Sequence, residues 1–390
     1  MESDRTQDGL AQMVDAAVRT PPSDVLGLLG LMCRLLGART ARFYVADYSL
    51  RRLQQIDRNG HVGEPVPVLG TLVGRAFTSG EILASGTRPT MVWVPLVDGT
   101  SRIGVLELEY DTWDGALPKL LEPIVTTFVM TWIIKNRYSD TSERARRSEP
   151  LSAAAEVQWD LLPPLSCSTD EIAISGILEP AYDIGGDSFD YAFNRTRLDF
   201  AIVDAIGRGL PAVLMSAAAI NSLRNARRAE TSLAAAYEQA DRSISTQFGH
   251  SYFVTGIIGT LDSATGTLAW INAGHVLPML VRNGAYAGSL SCAPSTPLGL
   301  GGPVVQVAEE PLQTGDRVLF YTDGIIESRS PDGELFGDDR LADFLVRAAL
   351  EDLPVHETVR HLSDSVINFT NDGLRDDATM LLVEWRGAAG

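Results

Sequence analysis

Apolar residues recur at Val25, Leu28, Leu29, Met32 and Leu36, which is one face of a helix. Ser23 and Asp24 can cap its start and Gly37 can end it. Short apolar runs at 41–47 and 53–57 then read as two paired strands. The segment GTLVGRAFTSGEIL places glycines at 70, 74 and 80 around a short helix. Two further strands are expected at 91–97 and 102–110, separated by the turn signal Asp98-Gly99, followed by a closing helix at 117–138. The apolar stretch between Pro123 and Lys135 is too short to cross a bilayer and fits a buried or dimer-facing helix. Residues 1–22 are polar, end at Pro21-Pro22, and predict a flexible tail.

Residues 139–150 are polar and charged, and LSAAAEVQWDLL at 151–162 reads as a helix stopped by Pro163-Pro164. Leu151, Ala155, Gln158 and Leu162 are roughly aligned along it. It suits a spacer packed on the next domain, or a paired helix that carries a signal between domains. Beyond it, strands are expected at 172–178, 188–193 and 199–203, then helices at 212–228 and 232–246. Strands resume at 253–262, 267–273 and 279–282, with Asn283-Gly284 as a turn. A strand at 318–321, helices at 338–350 and 355–369, and a strand at 379–385 complete the pattern. Strands and helices come in blocks, which predicts an α+β layer structure rather than a doubly wound sheet.

Two of these apolar runs end in an aspartate and a turn: Asp204 in LDFAIVDAIGRG and Asp323 in RVLFYTDGIIE. A third, at 380–383, is preceded by Asp376 and Asp377 in LRDDATMLLVEW. In an antiparallel sheet the end of one strand lies beside the start of its neighbour, so these carboxylates can meet at one sheet end. Asp187 can join them from the glycine-rich IGGDSFD. Clustered carboxylates repel one another, and hard cations such as Mg²⁺ or Mn²⁺ offset that cost. Gly185-Gly186, Gly207 and Gly209 permit close backbone approach, and Pro211 can open a helix whose N-terminus favours phosphate. An isolated Asp-Gly such as Asp323-Gly324 is ordinarily a turn, so the weight rests on the joint pattern. His275 in NAGH suits a structural role or proton transfer. Arg208 suits contact with a substrate phosphate or a solvated loop. Glu327 and Asp332 read as surface turn residues, and His61 as a loop residue rather than a cofactor ligand.

Composition narrows the function. A formal charge of −18 over 390 residues argues against nucleic acid or anionic membrane as the main partner. Cys33, Cys167 and Cys292 are widely spaced and odd in number, which excludes a disulfide framework and suits a reducing cytoplasm. MESDRTQDGL lacks the basic-then-apolar pattern of a signal peptide, and no membrane insertion is expected. Lysine occurs only at 119 and 135, neither after a glycine, so no GxxxxGK[ST] phosphate loop is present.

The ordered motifs EPAYDIGGDSFDY, IVDAIGRGLPAVLMSAAA, INAGHVLPML, PLGL, LFYTDGIIESRSPDGELFGDDRL and LRDDATMLLVEW resemble the PPM-type (protein phosphatase 2C-like) serine/threonine phosphatases of the SpoIIE/RsbU family. The resemblance covers 171–386 and implies an αββα sandwich with two Mn²⁺ or Mg²⁺ ions between the sheets. It implies that Asp204 bridges both metals and that the Ala205 carbonyl binds one. Asp323 and Asp376 would hold the other, and Asp187 would serve the Ala205 side directly or through water. Catalysis would pass from Asp187, Asp204, Asp323 and Asp376 through metal-activated water. Asp377 is the alternative to Asp376. The implied substrate is a phosphorylated STAS-type anti-sigma-factor antagonist in a partner-switching pathway. The helix, strand and glycine order at 23–138, ending in GTSRIGVLELEY, resembles a GAF domain, an α/β sensor fold that binds a small-molecule or protein regulator or forms homodimers. The expected organisation is thus a tail at 1–22, a GAF-like domain at 23–138, a linker with a helix at 139–164 and a phosphatase domain at 171–386. Two other functions fit the same features: a catalytically weak scaffold that binds a partner through the phosphatase fold, and a sensor whose main output is dimerisation.

Overall fold

The polar N-terminal segment is helical rather than a flexible tail: α1 runs over Glu2–Arg19. Met13 and Ala17, one turn apart, are buried in the core of the first unit. Two apolar positions at helical spacing are enough to dock a polar helix once a neighbour offers an apolar face. The computed structural model describes residues 2–113, 118–179, 185–302, 305–371, 374 and 376–388. Leu117 of the expected closing helix and residues 180–184 and 375 of the quoted motifs lie outside the described residues.

The chain divides into two compact units, 1–150 and 151–390. In the first, a 3-10 turn (Pro22–Gly27) leads into α2 (Leu28–Leu36), which Gly37 ends in the left-handed region at φ 68°. Then follow β1 (Thr40–Ala46), β2 (Arg52–Ile56), β3 (Val62–Pro67), α3 (Leu72–Ser79), β4 (Leu83–Ala84), β5 (Thr90–Asp98), β6 (Ser101–Tyr110), α4 (Leu121–Asn136) and α5 (Thr141–Arg146). The strands form one antiparallel sheet in the order β3-β2-β1-β6-β5-β4. On one face, α1, α2 and α4 close a core in which Phe43 meets Phe128 and Trp132 edge-on at 5.5 and 4.8 Å. On the other, Val73, Ala76 and Phe77 of α3 pack on Tyr44, Trp93 and Val105. The edge strand β3 carries two prolines in VGEPVP, which hid it from the apolar pattern.

The expected linker at 139–164 is split between the units at Pro150. Its first part folds as α5 onto β1 and β2, and Ser148 donates to the buried Asp47 at 3.0 Å. Its second part is α6 (Ala153–Leu161), capped by Ser152, which accepts from the Ala155 amide. α6 packs on its own unit through Ala154, Ala155, Gln158 and Leu161.

The second unit continues with β7 (Ser166–Ser168), β8 (Ile172–Glu179), β9 (Asp187–Asn194), β10 (Arg197–Ala205), α7 (Leu210–Arg228) and α8 (Leu233–Phe248). Next come β11 (Val254–Asp262), β12 (Thr267–Ala273), β13 (Met279–Arg282), β14 (Ala285–Ser289), β15 (Ala308–Pro311) and β16 (Arg317–Tyr321). α9 (Asp323–Ile326), α10 (Gly337–Leu350), α11 (Val355–Thr370) and β17 (Ala378–Trp385) complete it. Two antiparallel sheets result, ordered β15-β12-β11-β10-β9 and β14-β13-β16-β17-β8-β7. Their inner faces share one core, where Phe200 of β10 meets Phe320 of β16 at 4.6 Å between ring centroids. α7 and α8 cover the first sheet, and α10 and α11 the second, so the layers run helix, sheet, sheet, helix.

This layering corrects the expectation of a single sheet end. β10, which carries Asp204, pairs with β9 and β11, whereas β16, which leads to Asp323, pairs with β13 and β17. The aspartates therefore come from two facing sheets. Among the described residues no helix is long and apolar enough to cross a membrane.

Candidate functional site

β10 ends in Asp204 and Ala205, both beside the glycine-rich turn that opens β9. Asp204 pairs in register with Asp187 across this ladder and with Thr255 of β11 on its other side. The Ala205 amide donates to the Gly186 carbonyl at 3.2 Å. A Cβ on Gly186 would stand 2.3 Å from the Ala205 carbonyl oxygen, so only glycine lets the turn lie this close. Ser216 of α7 also donates to the Gly186 carbonyl, fixing the turn from the helix layer.

From the facing sheet, β16 leads through Thr322 into Asp323, the first residue of α9. β17 runs antiparallel to it with Tyr321 opposite Met380, which places Asp376 and Asp377 beside Asp323. Gly324 lies in the first turn of α9 with ordinary helical backbone, not in a left-handed turn. A Cβ there would stand 1.8 Å from the Asp377 carbonyl oxygen. The Asp-Gly pair thus allows two loops to touch.

The aspartates differ in depth. Asp187 is buried and accepts from the Thr322 hydroxyl at 2.7 Å. Asp377 is buried and accepts from the Gly185 amide at 2.7 Å and the Asp187 amide at 3.3 Å. Asp204 is partly buried, while Asp323 and Asp376 lie at the surface. Asp376 pairs with Arg208 at 3.4 Å on the surface.

Asp187, Asp204, Asp323 and Asp377 have pKa values displaced upward. Burial, and then the charges on Asp204 and Asp377, hold Asp187 well above the usual carboxylate range. Burial and then the charges on Asp323, Asp376 and Asp377 push Asp204 up to about 6. Asp377 also rises to about 6 through burial, against the opposing effect of its amide donors. Asp323, exposed as a residue, is raised by partial desolvation of its carboxyl group and then by the charges on Glu327 and Asp376. The structure therefore brings Asp187, Asp204, Asp323 and Asp376 within electrostatic reach of one another, with Asp377 among them. Among the described residues no group of three or more Asp, Glu, His or Cys side chains is close enough to hold one metal ion. The donor set is all oxygen and strongly anionic, which is the chemistry that Mg²⁺ and Mn²⁺ prefer.

Sequence reasoning missed the buried hydroxyls. Thr322 is fully buried; it donates to Asp187 and accepts from the Thr379 amide at 2.9 Å, joining both sheets at the aspartate end. Its signal was a polar residue inside the apolar run LFYTDG, which has to find a partner when buried. His275 sits just beyond β12, its ring between Thr255 and Tyr321. Glu327 and Asp332 are exposed, as is His61, which pairs with Asp57 at 3.1 Å.

Residues 194–386 match the family model of Stage II sporulation protein E (SpoIIE). The match begins after Asp187, whose placement therefore rests on geometry alone. Protein IcfG of Synechocystis sp. is 24% identical over 268 residues, which is 60% of this chain and 41% of IcfG. Phosphoserine phosphatase RsbU of Bacillus subtilis is 22% identical over 241 residues, which is 60% of this chain and 69% of RsbU. The crystal structure of the RsbU and RsbW domains of a Mycobacterium tuberculosis protein is 27% identical, with a TM-score of 0.50 over 59% of this chain and 63% of that one. The chain thus spans less than half of IcfG and about two thirds of the other two. With the two-sheet layering and the aspartate end in place, residues 194–386 of the C-terminal unit are those of a SpoIIE-family domain.

Proposed function

We propose that this chain is a metal-dependent protein serine/threonine phosphatase. The observation that carries the reading is the approach of Asp187, Asp204, Asp323 and Asp376 from two sheets, where the charges on Asp204, Asp323 and Asp376 raise the pKa of neighbouring aspartates, in a SpoIIE-family domain. Asp204, the Ala205 carbonyl, Asp323 and Asp376 would hold two Mn²⁺ or Mg²⁺ ions, with Asp187 serving the Ala205 side. Two such ions lower the pKa of a shared water and stabilise the oxygens of an in-line displacement at phosphorus. Asp376 is preferred to Asp377 as a ligand because Asp377 is buried and held by the Gly185 and Asp187 amides, whereas Asp376 is exposed. Arg208 and the N-terminus of α7 supply cationic and dipolar attraction for a phosphoryl group at this site.

The substrate is a phosphoserine or phosphothreonine protein, and a phosphorylated STAS-type anti-sigma-factor antagonist suits the RsbU likeness. The N-terminal unit acts as a GAF-like regulator and homodimer interface. Supporting this, α4 is apolar all round yet leaves Met130, Ile133 and Ile134 exposed, beside Val14 and Val18 of α1. A cleft of about 270 Å³ lined by Val25, Leu26, Asn59, His61, Trp132 and Arg144 offers a small-molecule regulator a place to bind.

The test is hydrolysis of p-nitrophenyl phosphate and of a phosphoserine antagonist with Mn²⁺ or Mg²⁺. Wild-type turnover that falls at least a hundredfold in Asp204→Asn and Asp323→Asn is expected. No turnover by wild type with either metal refutes the activity, and undiminished turnover in both variants refutes the site.

A further inference from the structure

His275 is held more tightly than a loop residue needs to be. Asn272, at the end of β12, accepts from the His275 amide at 2.6 Å and donates to the His275 carbonyl at 2.9 Å. Gly274 between them adopts φ 70° and closes this small ring. The backbone of His275 is therefore fixed before its imidazole makes any contact.

The imidazole then reaches both sheets. Nε2 lies 3.0 Å from the carbonyl oxygen of Tyr321, the last residue of β16. A carbonyl only accepts, so Nε2 carries the proton. In the neutral ring Nδ1 is then an acceptor, and it takes the Thr255 hydroxyl at 3.0 Å. Thr255 stands opposite Asp204 in the β10–β11 ladder, its hydroxyl 3.5 Å from the Asp204 carbonyl. Tyr321 stands two residues before Asp323. One ring thus links the strand ends that present Asp204 and Asp323 from opposite sheets. Burial lowers the His275 pKa to about 4, so the neutral tautomer that both contacts require persists at neutral pH.

Another tie at this end is different in kind. Thr322 joins the sheets by donating to the Asp187 carboxylate, and so occupies a lone pair on a candidate ligand. His275 uses only a carbonyl and a hydroxyl and leaves every carboxylate oxygen free. We propose that His275 is a positioning residue that sets the separation of Asp204 and Asp323, and thereby the affinity of the site for divalent metal. This rests on the metal-site reading above.

The experiment measures Mn²⁺ binding to the full chain by the loss of the free Mn²⁺ resonance signal, alongside turnover at saturating Mn²⁺ and melting without metal. Thr255→Val removes the hydroxyl at nearly constant shape, and Thr255→Ser restores it. His275→Gln reaches the Tyr321 carbonyl but gives up Thr255. Groups that orient metal ligands typically change affinity or activity about 10–100-fold when lost. Mn²⁺ affinity should therefore fall about tenfold in Thr255→Val and His275→Gln, stay near wild type in Thr255→Ser, and fall no further in the double variant Thr255→Val/His275→Gln. Affinities within twofold of wild type in both single variants, even with lower melting temperatures, would show a purely structural histidine and overturn the proposal while leaving the metal site intact. Should His275→Gln fail to fold, the Thr255 pair decides alone. Absence of Mn²⁺ binding in wild type overturns the metal site and this proposal together.

Discussion

Gly324→Ala isolates what the Asp-Gly pair contributes. The alanine Cβ would stand 1.8 Å from the Asp377 carbonyl oxygen, which is main chain and cannot rotate away. An unstrained carbon–oxygen contact is about 3.3 Å, so the two loops must part by roughly 1.5 Å. They carry Asp323 on one side and Asp376 and Asp377 on the other, and a displacement of about 1 Å in a catalytic constellation can cost about 100-fold in rate. Helix propensity works the other way, since alanine is better than glycine inside a helix by about 1 kcal/mol. Overpacking costs about 1–3 kcal/mol, so the variant should still fold. Gly30→Ala is the control: it lies exposed within α2 with no atom within 4 Å of the added Cβ. Turnover of p-nitrophenyl phosphate with Mn²⁺, paired with thermal melting, should show Gly324→Ala folded but at least about 100-fold slower. Gly30→Ala should be fully active and slightly more stable. Gly324→Ala turnover within threefold of wild type would refute the claim that loop contact places the aspartates.

Three further outcomes follow from the same geometry. Removing the Asp377 carboxylate leaves the Gly185 and Asp187 amides without their acceptor, and bonds to a charged group contribute about 1.5–3 kcal/mol. Hydrogen exchange at those two amides should therefore quicken at least about tenfold in Asp377→Ala and hardly change in Asp376→Ala; equal effects would undo the division between them. Arg208→Ala breaks an exposed ion pair with Asp376, and exposed pairs are worth under about 1 kcal/mol, so melting should change little while KM for a phosphoprotein rises severalfold; an unchanged KM would remove Arg208 from substrate contact. Ile134→Glu on the exposed face of α4 should convert a dimer to a monomer in sedimentation, and a wild-type chain that is monomeric at all concentrations would discard the interface.

Much of the fold was legible because its strands are short, apolar and bounded by turns. β12 (Thr267–Ala273) and β13 (Met279–Arg282) run over the expected residues, and the face Val25, Leu28, Leu29, Met32 and Leu36 is buried throughout. What escaped lacked a local signature. α1 is polar and gains its place from Met13 and Ala17 docking in a distant core. β14 (Ala285–Ser289) and β15 (Ala308–Pro311) are largely exposed edge strands, so no alternation marks them. The aspartates were legible as strand-end residues, but their distribution over two sheets was not, since pairing partners are set by contacts remote in sequence. Thr322 and Thr255 were passed over for the same reason: a hydroxyl declares its role only when its partner across the sandwich is known.

The two kinds of buried ionisable group at this end oppose one another in acid. His275 has a folded pKa of about 4, below its ordinary value of 6.5, so its neutral burial contributes stability above 6.5 that is lost as pH falls toward 4. Asp204 and Asp377 have folded pKa values of about 6, above the ordinary 3.8, so protonation relieves their repulsion and stability is gained as pH falls from about 6 toward 3.8. At 1.36 kcal/mol per pKa unit, between pH 7 and 5 the histidine loses about 2 kcal/mol and each of the two carboxylates gains about 1.4 kcal/mol. The windows overlap, so these contributions nearly cancel in protein stripped of divalent ions. A bound cation removes the repulsion and lowers the carboxylate pKa values, so acid then displaces metal and the relief disappears. Melting temperature between pH 7 and 5 should therefore change little in EDTA and fall steeply in Mn²⁺. His275→Gln should raise the acid stability of the metal-free protein relative to its own value at pH 7. Equal slopes in EDTA and Mn²⁺ would mean that the aspartates do not share a cation site.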